Sequence, residues 1–156
     1  MSFKRFSISG NAGTANTTAA TNGLIMVQTT AATRALLYEF DVASAAAAAP
    51  VDQNYQVILR RFSGGAGTWT SATPAPLDPA DAAAVCLGGV AKTADITTPG
   101  TTLFTIGFNA RAGFRWVAIP DSEFVAASTV NAGIEMKYTA VSGGTDINAC
   151  TFLYQE

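Results

Sequence analysis

Short runs in which apolar and polar residues alternate recur along the chain, each closed off by Gly, Pro, Asn or Asp. Side chains alternate across a β-strand, so each run offers one face to a core. Leu36, Tyr38, Phe40 and Val42 fall on one face, with Glu39 and Asp41 opposite. Tyr55, Val57 and Leu59 alternate with Gln56, Ile58 and Arg60, and Phe104, Ile106 and Phe108 alternate with Thr105, Gly107 and Asn109. Ile134, Met136 and Tyr138 against Glu135, Lys137 and Thr139 is the clearest case, and Cys150, Phe152 and Tyr154 oppose Ala149, Thr151 and Leu153. Weaker runs cover 3–9, 24–29, 114–119 and 123–126. Together they predict about eight or nine strands, at the spacing of a sandwich or barrel.

The breaks between runs carry their own signals. Asp78 before Pro79 and the run 80–85 predict one short helix, with Asp78 as cap and Pro79 at the first helical position. Gly64-Gly65-Ala66-Gly67 reads as a loop, and Ser142 to Asp146 reads as a hairpin turn between the last two strands. The Thr/Ala/Asn/Gly stretch from Gly10 to Asn22 lacks apolar periodicity. The expected organisation is therefore an N-terminal arm or extended segment over 1–22 and a single β-domain over 23–156, without internal repeats.

Composition narrows the function. Hydrophobic residues make up 49% of the chain but charged residues only 13%, about half the globular average of roughly 25%. A surface this poor in charge favours close protein contact, because few ions need desolvating. The net charge is −2 and the basic residues are scattered, so no basic patch points to nucleic acid. No run approaches the roughly 20 apolar residues of a membrane helix, and the N-terminus lacks the apolar region of a signal peptide. These features predict synthesis in a cytoplasm and no membrane partner.

Candidate chemistry is sparse. The chain has no histidine, which removes the commonest general base and metal ligand. Cys86 and Cys150 are the only cysteines, too few for a usual zinc site and more simply read as two small hydrophobic thiols than as a disulfide. The carboxylate pairs have plain roles: Asp121 and Glu123 at a turn, Asp78 and Asp81 at a helix start, Glu39 and Asp41 solvated or paired with Arg60. The glycine loop at 64–67 lacks the Lys-Ser/Thr of a phosphate cradle. Tyr38, Tyr55 and Trp116 read as core more readily than as a sugar groove, whereas Trp69, set among Gly, Thr and Ser, reads as a loop residue that anchors a protein interface. No catalytic, cofactor-binding or metal-ligating residue is expected, and the chain is not expected to be an enzyme.

Three segments carry a resemblance: 35–42 (ALLYEFDV) followed by 54–61 (NYQVILRR), 73–80 (TPAPLDPA), and 114–118 (FRWVA) with 131–134 (NAGI). Together they resemble the capsid decoration, or cement, proteins of tailed bacteriophages. That resemblance implies a jelly-roll-like β-sandwich, often trimeric, lying on the capsid exterior and bound to the major capsid protein, with no catalytic residues. An arm ordering against the shell or a neighbouring subunit would use Phe3, Phe6 or Ile8. The alternative is a trimeric tail-fibre or receptor-binding module that recognises a host glycan or protein.

Overall fold

The alternating runs assemble into two antiparallel sheets. The computed structural model describes residues 3–11, 23–45, 52, 54–140 and 148–156. Its strands are β1 (Arg5–Asn11), β2 (Gly23–Gln28), β3 (Ala35–Ser44), β4 (Asn54–Phe62), β5 (Thr68–Ala72), β6 (Ala75–Pro76), β7 (Leu87–Ala94), β8 (Pro99–Asn109), β9 (Phe114–Val117), β10 (Phe124–Ala126), β11 (Gly133–Ala140) and β12 (Asn148–Gln155). One sheet runs β10-β3-β12-β1-β6, with β9 also on β3; the other runs β5-β7-β2-β11-β4-β8.

Short β9 and β10 share one edge of β3, opposite Glu39–Val42 and Ala35–Leu37 respectively, and act as one broken strand. With those two merged and β5–β7 set aside, the strands lie in the orders 1-8-3-6 and 2-7-4-5. This is the winding of a jelly roll. The extra strands β5, β6 and β7 enter between β4 and β8, and widen both sheets on the side of β1 and β2.

Between the sheets lies one large core that includes Phe6, Ile8, Leu37, Phe40, Tyr55, Leu59, Met136, Phe152 and Tyr154. The inward sets 55/57/59, 134/136/138 and 150/152/154 are all buried, as their alternation predicts. Phe40, Phe104, Phe114, Trp116 and Phe124 form an aromatic group at one side, with Trp116 stacked on Phe124 at 4.5 Å. Trp116 and Tyr55 are thus packing residues.

Several expectations need correction. Leu36 and Tyr38 are only half-buried, whereas Ala35 and Leu37 are buried. The register against β12 shifts between Leu153 and Tyr154, leaving Tyr38 as an extra residue. That bulge reverses the inward parity of β3 between Leu37 and Phe40. The expected helix at 80–85 is absent; Asp78 instead closes a local turn, its Oδ1 accepting the Ala80 N–H at 2.9 Å and its carbonyl the Asp81 N–H. Further on, the Val85 and Cys86 N–H groups donate to the Glu156 carboxylate and not to helical carbonyls. The last two strands form no hairpin, because β11 pairs with β2 and β4 while β12 pairs with β1 and β3; residues 141–147 themselves lie outside the described residues.

At the N-terminus, residues 5–11 form an interior strand of the chain's own sheet, between β12 and β6. The rest of the expected arm, 12–22, lies outside the described residues. The strands β5, β6 and β7 were not foreseen. Gly88 and Gly89 make β7 look like a loop, yet a Cβ at Gly89 would meet Met26 and Trp69 at under 3 Å. Glycine is there because a ring lies against the backbone.

Candidate functional site: a trough at one end of the sandwich

Two features stand apart from ordinary packing. The first is an ion network on the outer face of the second sheet. Lys92 and Glu135 are both fully buried there. Glu135 accepts from Arg60 (2.5 Å) and Lys92 (3.2 Å), and Asp95 accepts from Lys92 (2.7 Å) and Arg60 (3.1 Å), so each cation touches both carboxylates. The segments 63–67 and 95–98 run across this face, and Ala66 and Ile96 pack with Met26 and Phe62. Trp69 covers the site: its Nε1 donates to the Ala66 carbonyl, and the Lys92 ammonium sits 5.6 Å from its ring.

Burial works to raise the Asp95 pKa, but hydrogen bonds from Lys92 and the Ile96 N–H, with the nearby cations, hold it below the usual carboxylate value. Paired this completely, the network stabilises two straps and has no reactive group to spare. Glu39, expected beside Arg60, pairs instead with Arg115 at 2.6 Å.

The second feature is a trough at the end where β2, β4 and β12 finish and β3, β8 and β11 begin. Three hollows adjoin through shared lining residues. One of about 470 Å³ is lined by Phe3, Leu36, Arg34 and Val125. A second of about 340 Å³ lies between Arg34 and Arg61, with Ser128 and Thr129 on its wall. A third of about 280 Å³ continues past Arg61 and Thr129 to Gly100 and Thr101.

Local structure explains each part. Arg61 has the inward parity of Tyr55, Val57 and Leu59, but sits at the end of β4, where the core gives out. Its side chain emerges between the sheets, and its Nε donates to the Val125 carbonyl on β10 at 2.8 Å. Arg34 is exposed just before β3. The wall at 127–132 is pinned by buried Thr29, whose hydroxyl lies 2.6–3.0 Å from the carbonyls of Ala127, Thr129 and Ala132, while its N–H donates to Ala132. Neither Arg34 nor Arg61 has a carboxylate partner among the described residues. Among the described residues the one acid lining the trough is Glu156, and its carboxylate accepts the Val85 and Cys86 N–H groups.

The residues singled out in the sequence are dispersed. Phe3 is 60% exposed and lines the trough. Phe6 and Ile8 are fully buried in the core, so their side chains face no partner in this fold. Trp69 stands in strand β5 and not in a loop, half-buried as the lid over Lys92. Arg34 and Arg61 were missed; the signal available was an arginine at inward parity on the last turn of an apolar strand. Asp121 occupies a left-handed turn position at φ 67°, and Asp78 closes its own turn, as turn formers do. Among the described residues, no group of three or more Cys, Asp or Glu could hold a metal ion, and no helix is long and apolar enough to cross a membrane.

Around the same end lie exposed Leu77, Val85, Leu87 and Val130. Backbone bonds from Leu77 to Arg5, and from Glu156 to Lys4, hold these segments together. Compared with known proteins, the chain matches no family model, no curated protein and no solved structure.

Proposed function

We propose that the chain is a non-catalytic structural protein that decorates the exterior of a bacteriophage capsid by binding its major coat protein, working as a homotrimer. The observation that carries this reading is the end of the sandwich just described. Exposed Phe3, Leu77, Val85, Leu87 and Val130 lie around a trough lined by two arginines without a carboxylate partner among the described residues. Protein interfaces are enriched in aromatic, apolar and arginine side chains and depleted in lysine and carboxylates. Such an end, on a chain only 13% charged, suits docking on another protein.

Val117 and Ile119 form a second exposed apolar pair, along the β9 edge, and supply a contact for self-association. Three copies on a symmetric shell would add weak contacts into a stable attachment. The jelly roll supports the reading only as a frame, since that winding serves both capsid and lectin domains.

The test is co-sedimentation of purified protein with particles that lack it. Wild type is expected to saturate at hundreds of copies per particle, and the Phe3→Ser, Leu87→Asp double variant to lose at least tenfold in occupancy. Binding limited to a few copies would favour the tail-module alternative, and occupancy unchanged by the substitutions would remove this end from the account.

A further inference from the structure

We propose that the trough receives an extended acidic peptide segment, its carboxylates seated on Arg34 and Arg61; this rests on the docking reading above and names the partner's chemistry. The charge balance points that way. Two guanidinium groups lie on one hollow without a carboxylate partner among the described residues, on a chain whose net charge is −2. The lining acid among the described residues, Glu156, is held on the Val85 and Cys86 N–H groups and keeps its charge, so the trough carries two guanidinium charges against one carboxylate. An anion arriving between Arg34 and Arg61 therefore meets a net positive charge.

Geometry favours a peptide over a compact anion. Arg61 lines the hollow and is anchored through Nε, which leaves its two terminal nitrogens to form a fork suited to a carboxylate. The facing wall is held by Thr29 and presents the Ser128 and Thr129 side chains, so little ordering is needed on binding. Next along the trough, Phe3, Leu36 and Val125 line an apolar hollow that fits an aliphatic side chain neighbouring the acid. Three adjoining hollows suit an extended chain whose every second residue faces the trough, acidic side chains first and an apolar one next, whereas a phosphate or a single sugar would occupy only the middle one.

The probe is the hexapeptide Glu-Ser-Glu-Ser-Leu-Ser, which puts two acids and one aliphatic side chain on one face when extended, titrated into the full chain and followed by NMR of backbone amides, with sialyllactose and inorganic phosphate as parallel arms. The expected result is shifts at residues 34 and 125–129, affinity that weakens with added salt, and at least a tenfold loss in the Arg34→Gln, Arg61→Gln double variant. Both arginines are exposed, but Arg61 also holds the Val125 carbonyl, so the variant should lose a few degrees of thermal midpoint and stay folded, which the amide spectrum checks. No response at 125–129, equal binding by the double variant, or a response to sialyllactose or phosphate with the peptide inert would each overturn the proposal. Co-sedimentation separates the two levels. Particle binding that is indifferent to both arginines defeats the acidic-segment proposal alone, while peptide binding without particle binding defeats the docking reading alone.

Discussion

Glu135 shows how far a side chain's role can depart from its position in a pattern. Alternation correctly puts it on the face away from the main core, yet the straps at 63–67 and 95–98 bury it completely. Nothing in the local sequence of β11 announces that covering, because it comes from segments about 40 and 70 residues away. Glu135→Gln should leave Lys92 and Arg60 short of a buried counter-charge and cost about 3–5 kcal/mol, read as a lower urea midpoint. Asp95 adds a pH dependence. Its folded pKa is depressed, so its contribution is present above the unfolded value of about 3.9 and is lost as pH falls through the lower folded value. Asp95→Asn should therefore flatten the loss of stability as pH falls below about 4. Asp41, raised chiefly by burial, works in the opposite sense and loses its penalty when protonated. The thiols were readable as simple hydrophobes, and both are free and buried. Cys86 lies beside Glu156, while Cys150 pairs with Gly10 at the far end of the sheet. Burial, with the charge of Glu156, pushes the Cys86 thiol up to about 12, and Cys150 is raised as well. Ellman's reagent should find no reactive thiol in the folded protein at pH 8 and two after denaturation. Glu156→Ala should release 85–86 and make Cys86 reactive first.

Among the elements, those with strict period-two alternation and large inward side chains (β4, β8, β11 and β12) are legible from sequence. The ones missed depend on partners. Two-residue β6 exists through its pairing with Phe6 and Ser7, and β7 carries glycines that only its packed neighbours explain, the Ala72 carbonyl at Gly88 and Met26 with Trp69 at Gly89. The helix expected at 80–85 has good propensity, but Asp78 takes the Ala80 donor and Glu156 that of Val85, tertiary and turn contacts that outweigh a preference worth only tenths of a kcal/mol per residue. The bulge in β3 likewise follows from its register with β12 and leaves no mark in composition. Strand β1 is the sharpest test at this scale. Because Phe6 is fully buried and stacks on Tyr154 at 5.6 Å, Phe6→Ala should destabilise by about 3–5 kcal/mol in chemical denaturation. A loss below about 1 kcal/mol would show that β1 is held loosely.

For the molecule as a whole, the all-β sandwich was readable because inward parity is a property of each strand, whereas the site was not. Arg34 and Arg61 stand 27 positions apart in sequence, and only the meeting of β3, β4 and β10 at one end brings them onto a single hollow. Of the interface residues expected from sequence, Phe3 lines the trough. On the proposed decoration reading, this end of the jelly roll, with its greasy rim and two cations, would face the shell. A cryo-EM reconstruction of purified virions carrying the protein measures that directly. It should show hundreds of copies outside the capsid, in threes, with residues 3, 34, 61 and 87 against the coat protein. A map with the protein confined to the tail, or seated on the shell through the opposite end of the sandwich, would contradict it.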